Sequence, residues 1–248
     1  MLVSQLHQFF SIGDAVLSRL KYLLFTCIAL SFVCSSYAQT TMTAAGIVLD
    51  APWKRQVYEF AAENLKHSAW GLQHYERNYL MAEELARLEA LKIDHDVLFA
   101  AAFLHDMGVF EPYVVADAEH SQTAAENIES VLGPTGFPMA KLEAVKTVIL
   151  AHMYYAQVPD DPTAQVHHDA DTLDFLGTIG VTRILSLTNR HPWAEDLQTA
   201  VATLQNFAEQ LPPTLITDTA KQYGKMRVLE MKAFTTTILS QSKDGKAL

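Results

Sequence analysis

The chain has 248 residues, half of them hydrophobic, with ten glycines, nine prolines and a formal net charge of −10. That length and composition suit one globular domain with a sizeable core plus a short appendage. The acidic balance repels phosphate backbones and argues against nucleic acid as the main partner. Both cysteines, Cys27 and Cys34, fall in the first 38 residues, so the rest of the chain has neither a disulfide framework nor a thiolate metal site.

Taken in order, the chain opens with Arg19 and Lys21 ahead of an uncharged apolar run, Tyr22 to Cys34, and then Ser36 and Ala38 at the −3 and −1 positions of a cut after Ala38. Positive flank, apolar core and small-residue exit read as a secretory signal peptide over residues 1–38, which predicts export to the periplasm or medium with no stable membrane association afterwards. The alternative is an uncleaved anchor over residues 22–38, although its apolar core is short against the roughly 20 residues of a full span. Without residues 1–38 the chain counts 16 basic and 27 acidic residues, a net charge of −11. A small anionic substrate would then need local positive charge from metal ions and a few arginines.

Residues 39–49 read as a flexible lead-in, and residues 50–248 as one helical domain with no stretch alternating clearly enough for a sheet. Asp50-Ala51-Pro52 opens a first helix running to about His67. A second, about Leu72 to Lys92, carries an apolar stripe through Tyr79, Leu85 and Leu88, and a third, capped by Asp94, ends at His105-Asp106. A fourth spans about Ala118 to Leu132, and a fifth starts at Pro138 and ends at His152. After a polar loop, Gln157 to Thr163, the sixth element covers His167 to Leu176; Gly177 and Gly180 break it before Val181 to Leu187 resumes. Two amphipathic helices, about Ala194 to Gln210 and Thr217 to Gln241, finish the chain.

The stretch Phe99 to Val109, FAAAFLHDMGV, is the centre of this pattern. Small and apolar residues that bury on all sides end in an imidazole beside a carboxylate, where Gly108 stops the helix. Burying those two groups costs several kcal/mol unless a cation or hydrogen-bond partner compensates them. His74 and Arg77 share a face near the start of the second helix, His120 opens the fourth, His152 ends the fifth and Asp171 lies in the sixth. Five successive elements thus each carry a nitrogen or carboxylate group near a terminus.

In this order the motifs His-x-x-Arg, LHDMG (Leu104 to Gly108), a helix-opening histidine, a helix-closing histidine and HHDADTLDFLGTIGVTR (His167 to Arg183) resemble the HD-domain superfamily of metal-dependent phosphohydrolases, in particular the small bacterial members. The resemblance covers roughly residues 50–187 and implies an all-α HD-domain helical bundle behind the signal peptide. It implies His74, His105, Asp106 and Asp171 as ligands of a divalent transition metal, with His120 and His152 completing a second metal site or facing the substrate phosphate. A mixed imidazole and carboxylate set suits Mn²⁺, Fe²⁺, Co²⁺, Ni²⁺ or Zn²⁺, in one or two ions.

The implied activity is hydrolysis of a small phosphate ester or anhydride, such as a nucleotide, by metal-activated water, with Asp106 as the catalytic carboxylate and Arg77 and Arg183 as phosphate clamps. The segment around Gln73 to Tyr79 also looks like relatives of cyanamide hydratase, which leaves carbon-centred hydration as an alternative, and a catalytically silent metal-binding sensor as another. His95 reads as solvated, Asp169 and Asp174 as cap and supporting groups, and His67 and Trp70 as packing at a helix junction. Tyr154-Tyr155 either stacks on a base or covers the core. No G-x-S-x-G elbow, Walker A loop or dinucleotide fingerprint occurs.

Overall fold

The most apolar helix takes the middle of the molecule, and the amphipathic ones wrap it. This computed structural model describes residues 41–248; residues 1–38, expected to be a signal peptide or anchor, lie outside them. Among the described residues are nine α-helices: α1 (Pro52–Asn64), α2 (Leu72–Leu88), α3 (His95–Leu104), α4 (His120–Leu132), α5 (Leu142–Leu150), α6 (Pro162–Asp174), α7 (Gly177–Leu185), α8 (Leu197–Gln210) and α9 (Asp218–Gln241). The all-α fold is as the composition and periodicity predict. No described helix is long and apolar enough to cross a membrane.

Every residue of α3 from Val97 to Leu104 is buried, and α1, α2, α5 and α6 pack around it. The Asp94 side chain accepts hydrogen bonds from the Asp96 and Val97 amides at 3.0 and 3.2 Å, which satisfies donors that the helix start would otherwise orphan. Trp53 of α1 meets Phe99 edge-on at 5.5 Å and Phe137 at 5.0 Å, so large rings fill the space on one side of α3. A second apolar cluster, built from Leu173, Ile184, Leu204 and Met231 among others, holds α6 to α9 together. The helices that carry the metal-capable residues run between or beside these two cores.

Four local expectations need correction. Residues 41–49, read as a flexible lead-in, form a two-stranded antiparallel hairpin, β1 (Thr41–Met42) against β2 (Val48–Leu49). Buried Ile47 and Leu49 anchor it, and Gly46 supplies the positive φ of 85° at its turn. The first helix stops at Asn64 rather than His67. The sixth starts at Pro162, five residues early, because the Asp161 side chain accepts from the Ala164 amide at 2.9 Å and Pro162 takes the first helical position, where no amide is needed. Gly180 lies inside α7 rather than breaking it; the break is Gly177 alone, at φ 70°.

Asp106 caps a 3₁₀ turn, Met107–Val109, directly after α3. A Cβ on Gly108 would run into the His120 carbonyl oxygen and Thr123 Oγ1 of α4, so this glycine sets how closely the fourth helix approaches the HD pair. Gly108→Ala is expected to destabilise the protein by about 1–3 kcal/mol through overpacking. Urea denaturation checks this, and an unchanged midpoint would mean that the contact between turn and helix is not a tight one.

Candidate metal centre

Three of the four imidazoles of the site, those of His74, His105 and His152, are fixed by a hydrogen bond at Nδ1. In His105, at the end of α3, Nδ1 donates to the Ala102 carbonyl at 3.1 Å, and in His152 Nδ1 donates to the Ile149 carbonyl at 2.6 Å. A carbonyl only accepts, so the proton sits on Nδ1 in both rings. His74 places Nδ1 at 2.7 Å from Asp174 Oδ2, and His120 places Nδ1 at 3.0 Å from Glu119 Oε1. In their neutral form all four rings therefore offer an Nε2 lone pair.

Those Nε2 atoms face one another and two carboxylates. His74 Nε2 stands 3.2 Å from His105 Nε2, 3.2 Å from Asp171 Oδ1 and 3.5 Å from Asp106 Oδ2. His105 Nε2 is 3.2 Å from Asp106 Oδ2 and 4.0 Å from Asp171 Oδ1. Around an octahedral ion with bonds of about 2.1 Å, adjacent ligand atoms stand about 3.0 Å apart and opposite ones about 4.2 Å. The four shorter distances are near the adjacent value and the 4.0 Å distance is near the opposite one. The other Asp106 oxygen, Oδ1, is 3.4 Å from His120 Nε2 and 3.7 Å from His152 Nε2, and those two nitrogens are 3.2 Å apart. Asp106 thus turns one oxygen to each of two ligand groups. Both the group His74, His105 and Asp171 and the group His105, Asp106 and His152 can hold a metal ion.

The electrostatics show how strongly this arrangement calls for positive charge. Burial and the Arg183 charge oppose protonation of His74, yet hydrogen bonds to Asp106, Asp171 and Asp174 outweigh them and raise its pKa to about 9. Burial also opposes protonation of His120, and Asp106 again raises it. His152 goes the other way, down to about 4, because burial and the neighbouring His105 leave no room for another charge. Burial alone would push the Asp106 and Asp171 carboxyls up, but the surrounding imidazoles hold both well below the usual carboxylate range. The protons that compensate the carboxylates stand where a divalent ion would.

Asp174 is the hub behind the cluster. Beyond the His74 contact, it takes two hydrogen bonds from Arg77, Nε to Oδ1 at 2.7 Å and Nη2 to Oδ2 at 2.8 Å, and Arg183 Nη1 stands 3.0 Å from Oδ2. Arg77, expected as a phosphate clamp, directs Nε and Nη2 to Asp174 and is absent from the cleft lining. Arg183 does line the cleft. Asn78, one turn after His74, donates to Asp171 Oδ1 at 3.0 Å. Asp169 is buried and accepts from the Ile216 and Thr217 amides and Thr217 Oγ1 at 2.7–2.8 Å, tying down the start of α9. His167 packs edge-on to His105 at 5.1 Å without joining either ligand group, and His95 pairs with Glu83 on the surface.

Residues 71–176 match the HD domain, so this segment of the chain is an HD domain. Among solved structures, Bacillus subtilis YpgQ in complex with ADP is 20% identical, covers 76% of this chain and 97% of its own, and superposes with a TM-score of 0.58. A Lactobacillus plantarum protein is 21% identical over 77% of this chain and 97% of its own, also at 0.58. A predicted HD superfamily hydrolase from an uncultured Thermotogales bacterium is 22% identical over 76% and 90%, with a TM-score of 0.51. At these identities the likeness establishes the fold. No curated protein sequence matches the chain significantly.

Two outcomes are expected. Asp174→Asn keeps the shape but replaces the acceptor of His74 Nδ1–H and of Arg77 and removes the countercharge of Arg183; metal affinity should fall by about 10- to 100-fold, read by calorimetric titration with Mn²⁺, and an unchanged affinity would remove Asp174 from the site. In metal-free protein, His74 binds its proton more tightly folded than unfolded, so its contribution to stability is complete below pH 6.5 and is lost as pH rises through about 9. His152 contributes stability above pH 6.5 that is lost as pH falls toward about 4. Chemical denaturation of metal-stripped protein across pH 4 to 9 should therefore show losses on both sides, and saturating metal should flatten the alkaline one.

Proposed function

We propose that the chain is a metal-dependent phosphohydrolase that cleaves a small phosphate ester or anhydride in the cleft above Asp106. The observation that carries this reading is the opposition of four imidazole Nε2 atoms to the two oxygens of one buried carboxylate. His74, His105, Asp106 and Asp171 would hold one divalent ion, and Asp106, His120 and His152 a second. Ions bound there supply Lewis acidity toward a phosphoryl oxygen and lower the pKa of water from about 15.7 to near neutrality.

The protein's own groups bind and orient. Asp106 holds the two halves of the site in register through its two oxygens. Asp174, held by Arg77, keeps the His74 proton on Nδ1 and so keeps Nε2 a ligand atom. His120 has the most exposed of the four imidazoles, at 22%, and borders the cleft, so it is the one an incoming substrate meets. Arg183 brings permanent positive charge to the same cleft, where it neutralises charge on the phosphoryl group. The ADP held by the similarly folded YpgQ supports a phosphate-bearing ligand for this cleft. With the exported destination read from the first 38 residues, scavenging of phosphate from nucleotides or phosphomonoesters is the role that fits.

The test supplies metal-stripped protein in turn with Mn²⁺, Co²⁺, Ni²⁺, Zn²⁺ and Mg²⁺ and follows phosphate and pyrophosphate release from a panel of nucleotides and simple phosphoesters. Release that depends on metal and falls on the order of a thousandfold or more in Asp106→Ala is the expected result. Hydration of cyanamide or nitriles without phosphate release would replace this reading with the carbon-centred one, and metal binding with neither activity would leave a sensor.

A further inference from the structure

The cleft has a volume of about 380 Å³ and two unlike sides. One is the cluster itself, through Asp106, His120 and Asp171; the other is largely aromatic, through Trp70, Phe175, His191 and Trp193. Trp70, Arg183, His191 and Trp193 all lie outside residues 71–176, the part that matches the HD domain. Apart from Phe175, the aromatic side of the cleft is thus supplied by segments flanking the shared module.

That wall is ordered. Trp193 stands edge-on to Trp70 at 6.2 Å and to Phe175 at 5.9 Å, and the His191 ring stands edge-on to Trp70 at 5.3 Å and to Trp193 at 5.0 Å. His67 stacks on Trp70 with ring centres 4.0 Å apart and so fixes that indole. His191 Nδ1 accepts from the Trp193 amide at 3.2 Å, which leaves Nε2–H as a donor on the neutral ring. Such edge-to-face arrays leave flat apolar surface that favours another ring over an aliphatic chain.

The charge in the cleft is equally specific. Arg183 is the one arginine or lysine among the lining residues, and it is 3% exposed. Its Nε donates to the Ala69 carbonyl at 2.6 Å, its guanidinium lies 3.9 Å from the Phe175 ring centre, Nη1 stands 3.0 Å from Asp174 Oδ2, and neither Nη1 nor Nη2 makes a hydrogen bond. A buried guanidinium with unmade hydrogen bonds is costly, and an anionic group in the cleft would offset that cost. Glu119 on the same wall adds negative charge against a long anionic chain. The volume is near the lower end of the usual range for ligand sites, about 300–1,000 Å³, which suits one ring system and one phosphate.

Building on the phosphohydrolase reading, we propose that the substrate is a phosphate monoester of a planar, uncharged aromatic group, its ring seated against Trp70, His191 and Trp193 and its phosphoryl group beside the Arg183 guanidinium. Polyphosphate chains and aliphatic esters are discriminated against, the first by charge and the second by the missing ring.

The test titrates the full chain, loaded with Mn²⁺, with two non-hydrolysable probes, 1-naphthylphosphonate and methylphosphonate, by calorimetry. The naphthyl probe should bind about tenfold or more tighter; Trp193→Leu and His191→Ala should collapse that ratio toward one, Trp193→Phe should retain most of it, and Arg183→Gln should weaken both probes. If Trp193→Leu does not fold, His191→Ala, on a partly exposed turn, carries the comparison. Equal affinities in the unmodified protein, or a ratio that survives His191→Ala and any folded Trp193→Leu, would overturn the proposal. Turnover of 1-naphthyl and methyl phosphates separates the two ideas. Preferential binding without any phosphate release keeps the aromatic site and removes the phosphohydrolase, whereas equal binding with equal turnover does the reverse.

Discussion

The structure depends on one electrostatic constraint: four imidazoles and two carboxylates are turned toward one another inside an apolar bundle, with Nδ1 of His74, His105 and His152 already committed elsewhere. Acceptors facing acceptors repel, and in the interior solvent does not screen them. Only protons or cations between them make the arrangement stable. The distances set by the fold match those around an octahedral ion, and the two oxygens of Asp106 divide the cluster into two ligand groups.

The surrounding architecture serves that arrangement. A helix that is apolar on every side, α3, delivers His105 and Asp106 at a depth no amphipathic helix would reach. The first turn of α2 brings His74, and the last turns of α6 bring Asp171 and Asp174 onto it across a separation of about one hundred residues in the chain. The lack of a side chain at Gly108 lets α4 close against the turn and carry His120 to the open edge. Asp174, with two arginines around it, is buried together with its countercharges, so removing any one member leaves the others uncompensated. A cleft remains where the cluster meets solvent, with most of its aromatic side, Phe175 excepted, built from the segments before and after the HD domain.

Much of this was legible in the sequence because it is local. The apolar run into His105-Asp106, the caps at Asp94 and Thr217 and the repeated apolar stripes follow from helical periodicity and capping chemistry. The order of His74, HD, His120, His152 and Asp171 named the residues that the fold gathers. What escaped the sequence is what depends on pairing between distant elements. Arg77 is one turn from His74 and looked like a phosphate clamp, but its partner Asp174 is 97 residues away and takes its whole fork. His191 and Trp193 sit on a short turn with no periodicity, and only the way α7 and α8 fold back brings them to the cleft. The hairpin at residues 41–49 is too short to show alternation, and its place is set by the burial of Ile47 and Leu49.

The most direct measurement is a count of bound metal on the purified chain by plasma mass spectrometry after equilibration with Mn²⁺ and removal of free ion. A bridging Asp106 predicts two ions per chain, one when His120 and His152 are both changed to alanine, and little or none in Asp106→Ala. Absence of stoichiometric metal in the unmodified protein, or the same metal content in Asp106→Ala, would contradict it, because the facing lone pairs would then be compensated by protons alone.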